Sequence, residues 1–340
     1  MSGSILWYLH DHGRGHLDRA RAVIPHLRAP VVVAAGPGIH AEARSVLDVR
    51  VVALPSDVPA HPGRTIGPWH HAPSGSAVRA RTVALSETID RHHCVTAVVD
   101  VSMEVTVLAR LFGLRVVTLR QSGRRNDEPH RIGLDSADVV WVPQHRDLEP
   151  LEGPPGDRWT FSGMFSRFDH LTRRPRHLHR RRRPRLAVLM VGQGGNSLPL
   201  DAWRGVAAPP GWQVVIAGTS EQSPAGDVTF VGYREPIFPL LEAAEVVITS
   251  AGWSAVADTV AAGAHLVVVP ESRPFDEQHV RARALESAGL ATCVDRWPTP
   301  DRLADIVAAA MALDPGRWNE YRDGRGAERA AQSIDEVHGS

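Results

Sequence analysis

Residues 246–291 read VVITSAGWSAVADTVAAGAHLVVVPESRPFDEQHVRARALESAGLA. Val246–Thr249 is β-branched and apolar, Ala251-Gly252 is a small turn, and 253–262 has helical spacing. A second strand, Leu266–Val269, leads through a loop to a helix over 277–288, opened by Asp276, Glu277 and Gln278. A strand that turns tightly into a helix leaves the first helical N–H groups free at the carboxyl edge of a parallel sheet. Acidic and amide side chains at the same edge bind hydroxyls. The layout suits a diphosphate with sugars on both sides.

The same alternation extends through the chain. Short β-branched runs at 5–9, 31–35, 51–54, 97–101, 116–119 and 139–142 predict strands buried on both faces of a parallel sheet. Helical stretches lie between them at 16–28, 39–47, 76–92 and 103–112. The pattern restarts with strands at 186–191, 214–217, 228–231, 246–249, 266–269 and 290–294. Helices are predicted near 198–206, 236–244, 253–262, 277–288, 299–312 and 316–337. Strands alternating with helices make an α/β protein of two Rossmann-like, doubly wound parallel-sheet domains facing a central cleft. The boundaries read as 1–165 for the first domain, 166–185 for a linker, 186–315 for the second domain, and 316–340 for a terminal helix. The linker contains RRPRHLHRRRRPR at 173–185, dense in Arg and Pro and without apolar periodicity. Residues 55–75, rich in Pro, Gly and His, read as a substrate-side loop or as disorder.

Composition narrows the chemistry. The 340 residues carry 38 Lys+Arg against 38 Asp+Glu, so bulk charge gives no reason to expect nucleic acid or an anionic membrane. All those basic residues are arginine. A P-loop lysine and a Schiff-base lysine are therefore excluded. Coding bias in a GC-rich genome accounts for the arginine. Cys94 and Cys293 have no partners at metal-ligand spacing, and no two aspartates stand two apart, so neither a zinc site nor a D-x-D metal site is expected. The N-terminus reads as a strand rather than a leader, and no apolar run approaches the ~18 residues of a membrane span. The expected compartment is the cytoplasm.

Several turns carry candidate chemistry. His10-Asp11-His12-Gly13-Arg14-Gly15-His16 follows the first strand. The glycines let backbone approach a ligand, and His16 at the helix start reads either as a general base or as a cap. Asp100 ends the strand at 97–99, where it either orients His16 across adjacent strand ends or caps the next helix, with Ser102 the equal candidate. Gly192-Gln193-Gly194-Gly195-Asn196-Ser197 is either an anion-binding turn or an ordinary strand–helix connection. Ala251-Gly252-Trp253-Ser254 forms a second helix N-terminus. Asp258, Glu277 and Gln278 read as hydroxyl binders or as solvated helix residues.

With these residues in view, the chain resembles the GT-B glycosyltransferases. It is most similar to the MurG-like group (glycosyltransferase family 28) and its UDP-glycosyltransferase relatives. The resemblance is strong from about 186 to 291 and looser in the first domain. It implies that Asp258, on the helix opened by Ala251-Gly252-Trp253-Ser254, contacts the donor ribose, and that Glu277 and Gln278 read the donor sugar. It implies a diphosphate loop at Gly194-Gly195-Asn196-Ser197 and a nucleotide base against Tyr233. Gly13-Arg14-Gly15-His16 matches the turn where the family often places its general base. The terminal helix would pack back on the first domain. Two positions depart: Asp258 is one carbon shorter than the usual glutamate, and Arg281 stands for the usual asparagine.

The resulting expectation is an inverting, metal-independent transferase with no cofactor, using a nucleotide-diphosphate sugar, UDP-linked by preference, and a hydroxyl acceptor. The alternatives are a nucleotide-sugar 2-epimerase and a non-catalytic nucleotide-sugar-binding activator. Membrane association is open, since no amphipathic basic helix demands it.

Overall fold

The structure is a computed structural model that describes residues 3–10, 13–56, 67, 69–70, 76–151, 156–171, 184–192, 197–223 and 226–340. The first sheet contains β1 (Ser4–Leu9), β2 (Val31–Ala35), β3 (Arg50–Ala53), β4 (Cys94–Val99), β5 (Arg115–Leu119), β6 (Val139–Val142) and β7 (Trp159–Phe161). Its helices are α1 (Gly15–Val23), α2 (Pro37–Val46), α3 (Ser76–Arg91), α4 (Met103–Leu111) and α5 (Glu128–Asp135). The second sheet contains β8 (Arg185–Met190), β9 (Trp212–Ala217), β10 (Val228–Gly232), β11 (Val246–Ser250), β12 (His265–Val269) and β13 (Thr292–Cys293). With it go α6 (Phe238–Ala243), α7 (Trp253–Ala262), α8 (Glu277–Ser287) and α9 (Pro300–Met311), and α10 (Gly326–Gly339) ends the chain.

Both sheets are parallel throughout and share one order. The first runs β3-β2-β1-β4-β5-β6-β7, the second β10-β9-β8-β11-β12-β13. Each reverses direction of growth between its first and fourth strands, and ligands of such sheets sit at the carboxyl ends there. In the first domain that point lies between the ends of β1 and β4, with Tyr8 opposite Val99. In the second it lies between β8 and β11, with Thr249 opposite Met190.

Helix boundaries show the local physics. Ser102 caps α4, its Oγ accepting from Val105 N–H at 3.3 Å, so the cap falls to Ser102 and Asp100 is left for other partners. Gly263 ends α7 in the left-handed region at φ 75, where a Cβ would be strained. One apolar cluster runs from Trp7 and Trp141 in the first domain through Trp253 and Val256 to Leu285 in the second. An aromatic ladder marks that seam. Trp141 stacks on Phe165 at 6.1 Å between centroids, and Phe165 meets Trp253 edge-on at 4.9 Å. α10 packs against α1, β4 and β5 of the first domain.

Several elements differ from the sequence expectation. The helix expected over 198–206 is one 3-10 turn, Leu200–Trp203. Pro199 precedes it, and Gly205 at φ 67 turns the backbone out of helical geometry just beyond it. The helix expected over 16–28 stops at Val23 and tightens into a 3-10 turn containing Pro25. The one expected over 316–337 is split into a 3-10 segment, Pro315–Glu320, and α10, with Gly324 at φ 78 between them. The strand at 159–161 and the helix at 128–135 have no counterpart in the sequence reading. Among the described residues, no helix is long and apolar enough to cross a membrane.

Candidate active site

The first switch point brings His16 and Asp100 together. His16 opens α1 after β1, Asp100 follows β4, and His16 Nδ1 lies 3.0 Å from Asp100 Oδ1. Both side chains are buried. Val101, next to Asp100, is held at φ 72, a conformation that a β-branched residue adopts only under constraint. Sequence reasoning missed a third member, Arg19. Its Nε and Nη2 donate to Asp100 Oδ2 and Oδ1 at 3.1 and 2.9 Å. Burial pulls the Asp100 carboxyl upward, but the Arg19 and His16 charges and hydrogen bonds overcome it and hold it well below the usual carboxylate range. The signal was available: Arg19 is three residues beyond His16, on the same helix face.

Across the cleft stands the N-terminus of α7. Gly252 is its cap residue and no side chain caps it. The Ser254 hydroxyl is buried and has no hydrogen-bond partner among the described residues. A Cβ placed on Gly15 would sit 3.4 Å from Ser254 Oγ and 3.6 Å from Arg19 Nη1, so Gly15, beside His16, abuts the second domain. Around Gly252, a Cβ would meet Ser250 Oγ at 3.6 Å and Gln278 Nε2 at 3.9 Å. The backbone of Ala251 is engaged from below, where Arg281 Nη1 donates to its carbonyl at 2.7 Å. Arg281 is only 2% exposed, and its Nε has no partner among the described residues. The Trp253 indole points away from the helix mouth and donates to Pro143 O at 2.8 Å.

Other expected donor residues fall in several settings. Gly194, Gly195 and Asn196, like Asp11 and His12, lie outside the described residues. Ser197 precedes a short 3-10 turn rather than an α-helix, so the helix N-terminus expected there is absent among the described residues. Its N–H and hydroxyl both donate to Glu271, at 2.9 and 3.1 Å to Oε1, an oxygen that Trp297 Nε1 also reaches at 2.7 Å. Gln278 accepts the Glu271 N–H at 2.9 Å through its Oε1. Glu277 faces the first domain and pairs with Arg125 at 3.3 Å. Tyr233 follows β10 and is 61% exposed.

Asp258 lies 5% exposed in the domain seam. Ser166 Oγ donates to it at 2.6 Å and Arg167 Nε at 3.3 Å, while the same Arg167 pairs with Asp18 at 3.0 Å. Burial first, with the Asp18 charge adding, pushes the Asp258 carboxyl up to about 7 against the pull of Arg167. A ribose would reach this carboxylate only after the Ser166–Arg167 clasp opens. Nothing local in the sequence announces the clasp, which joins residues 92 and 91 apart.

A second cluster lies on the first-domain side of the cleft. His70 Nε2 is 2.8 Å from Asp127 Oδ2, and His130 Nδ1 contacts Asp127 Oδ1. Phe275 of the second domain packs on both rings at 5.3 and 4.7 Å. One ligand atom from each of His70, Asp127 and His130 lies within 4.8 Å of the others, a spacing that a metal could use. The donor chemistry is against it. Arg125 Nη1 donates to His130 Nε2 at 3.0 Å, which places the ring proton on the Nδ1 that would have to bind the metal. Burial, with the Arg125 charge adding, pushes His130 down to about 4 against the pull of Asp127. A separate cavity of ≈ 900 Å³ lies between α5 and α8 and includes none of His16, Asp100 or Ser254 in its lining. Several of its arginines face carboxylates: Arg283 lies 3.3 Å from Asp276 and Arg158 3.6 Å from Asp135.

Comparison with known proteins bears on this geometry. Residues 213–334 match the glycosyltransferase family 28 C-terminal domain. The chain has the GT-B fold, with a second domain similar to that of glycosyltransferase family 28. The whole chain superposes on the glycotransferase of kitacinnamycin with a TM-score of 0.71 at 20% identity, over 98% of this chain and 99% of that one. Against spinosyn rhamnosyltransferase SpnG complexed with thymidine diphosphate the TM-score is 0.66 at 17% identity, over 99% and 96%. Against Acinetobacter baumannii MurG it is 0.65 at 15% identity, over 98% and 99%. These identities make the three structures a fold match to this chain. No curated protein matches it by sequence.

Proposed function

We propose that this protein is a glycosyltransferase that moves a sugar, with inversion and without a metal, from a nucleotide-diphosphate sugar to an acceptor hydroxyl, the donor being UDP-linked by preference. The observation that carries the reading is the pairing of His16 with Asp100 opposite an uncapped α7 N-terminus, with Gly15 against Ser254. In this reading Asp100 accepts the His16 Nδ1 proton and leaves Nε2 as the base. Nε2 takes the acceptor hydroxyl proton as the oxygen attacks the anomeric carbon. The attack comes from the side opposite the nucleotide diphosphate, so configuration inverts. Free N–H groups of Gly252, Trp253 and Ser254, with the Ser254 hydroxyl, stabilise the charge growing on the departing diphosphate.

The remaining roles follow the family resemblance: Glu277 and Gln278 read the donor sugar, Gly194, Gly195, Asn196 and Ser197 hold the diphosphate, and Tyr233, whose ring is exposed, is a platform for the base. The Asp258 contact with the ribose accompanies opening of its clasp on Ser166 and Arg167.

The test is a thermal-shift panel of UDP, dTDP, GDP, CDP and ADP with and without EDTA. A diphosphate at about 100 times its dissociation constant stabilises by ~2.7 kcal/mol. Selective stabilisation insensitive to EDTA is expected, and no shift with any nucleotide sinks the donor site. His16→Ala is expected to abolish transfer and leave donor binding nearly intact. Wild-type turnover in that variant removes His16 from the mechanism. Conversion of the donor sugar without any acceptor would point to epimerisation. Tight binding without transfer or hydrolysis across an acceptor panel would point to an activator subunit.

A further inference from the structure

The pair His16–Asp100 carries an electrostatic problem that Arg19 solves. Asp100 is 0% exposed. A buried carboxylate whose only partner is an imidazole draws a proton onto that imidazole, because the ion pair is favoured where water cannot solvate the lone charge. A protonated imidazole is useless as a base. Arg19, 1% exposed, supplies a permanent cation to the same carboxylate through both Nε and Nη2. Its Nη2 also lies 2.9 Å from His16 Nδ1; in the tautomer whose Nδ1 proton is directed to Asp100 this is a charge contact rather than a hydrogen bond, and it repels a second positive charge on the ring. From the second domain, the Trp253 ring lies 5.3 Å from the Arg19 guanidinium carbon and holds it in place.

Asp18, two residues beyond His16 along α1, is turned to Arg167 at 3.0 Å. The His10 ring, at the end of β1, lies 5.7 Å from the His16 ring. Arg281 of α8 acts on the cluster as a further positive charge, facing Arg19 through space. Arg14, two residues before His16, is turned to Glu42 on α2 and to Glu235, which lies 3.6 Å from it.

We propose that Arg19 is a positioning residue that keeps His16 neutral, and so available as a base, by saturating Asp100. The inference rests on the reading of His16 as the base, but its test does not. The full chain is labelled with ring-¹⁵N histidine, and the His16 signal is assigned by its loss in His16→Gln. Its titration is then followed in wild type, Arg19→Met, Arg19→Lys and the double variant Arg19→Met/Asp100→Asn. In Arg19→Met the His16 midpoint moves up by about 1–3 pH units, the size of an uncompensated buried carboxylate nearby. Arg19→Lys, which keeps the charge, stays near wild type. The double variant, with no carboxylate, loses the upward shift. Arg19→Gln, which keeps a donor to Asp100 without the charge, replaces Arg19→Met if that variant does not fold, with the same expected shift.

An unmoved midpoint in the folded uncharged variant overturns the inference. A shift that persists undiminished in the double variant also overturns it. In a transfer assay the acid limb of kcat/KM moves up while the high-pH plateau is kept. A plateau that drops at every pH with the limb in place assigns Arg19 a structural role only. If His16→Ala retains turnover, the base assignment falls, and the titration still decides what Arg19 does to His16.

Discussion

Asp100 and Asp258 are both buried aspartates at the domain seam, and they behave oppositely. Asp100 is held well below the usual carboxylate range, while Asp258 is pushed up to about 7. Burial acts on both in the same direction, so burial does not explain the difference. The difference is the number of carboxylates that each guanidinium serves. Among the described residues, Asp100 is the one carboxylate that Arg19 pairs with, through both Nε and Nη2. Arg167 divides itself among Asp18 at 3.0 Å, Asp258 at 3.3 Å and Glu235 at 3.4 Å. With one cation for two buried carboxylates, the lower-energy state is to protonate one of them. The first site is a fixed charge pair, and the second is a shared one that answers to pH.

The largest effect expected is from Asp100→Ala. It leaves Arg19 buried without its counter-charge and is expected to cost about 3–5 kcal/mol in urea unfolding. A loss below about 1 kcal/mol would erase the contrast, because Asp100 would then carry no more than a surface pair. Next is Asp258→Asn. The Asp258 carboxyl stands raised from 3.8 to about 7 in the folded chain, so its stabilising contribution is complete below the lower value and lost as pH rises through the upper one. Wild type is therefore expected to lose stability between these limits, by up to about 1.4 kcal/mol per pH unit, and Asp258→Asn to lack that fall. Parallel urea midpoints across that range in the two proteins would break the comparison.

A smaller effect is expected at the contact that shuts the seam from the other side. Gly123 stands at φ 116, and a Cβ there would lie 2.5 Å from Phe275 O. The neighbouring Arg124 N–H donates to that same carbonyl at 2.7 Å. Gly123→Ala is expected to destabilise by about 1–3 kcal/mol. A neutral result in calorimetry would mean that the Phe275 loop moves away at little cost. The smallest change in stability is expected from Tyr233→Ala. The ring is exposed, so the melting free energy stays within about 0.5 kcal/mol. The loss of a stacking platform is expected to weaken nucleotide binding by about 1–3 kcal/mol. Unchanged nucleotide affinity by calorimetry removes Tyr233 from the donor site.

The fold was legible because parallel strands buried on both faces write themselves as unbroken β-branched runs. Val31–Ala35 and Val246–Ser250 are examples, buried at every residue. β7 escaped because three half-buried residues, Trp-Thr-Phe, at a sheet edge carry no period. α5 escaped because EPHRIGLD is short, polar and opened by proline. The meeting of His16 with Asp100 comes from position alone, since β1 and β4 are neighbours in the sheet and both residues lie beyond their carboxyl ends. The commitments of Asp258 to Ser166 and Arg167, and of Ser197 to Glu271, join distant parts of the chain. They depend on how the two domains and the second-domain loops dock, and no periodicity records that.

The chain crosses between its domains twice, once before β8 and once on its return from α9 to α10, which packs on α1 and β5. Two backbone crossings act as two pins on one door. They leave a single axis of swing and resist sliding or twisting of one sheet past the other. Opening the cleft becomes travel along one rotational coordinate, and each closing brings Gly15 back to Ser254 in the same register. The meeting of the α1 and α7 starts is then a property of the hinge, reset at every closure rather than searched for.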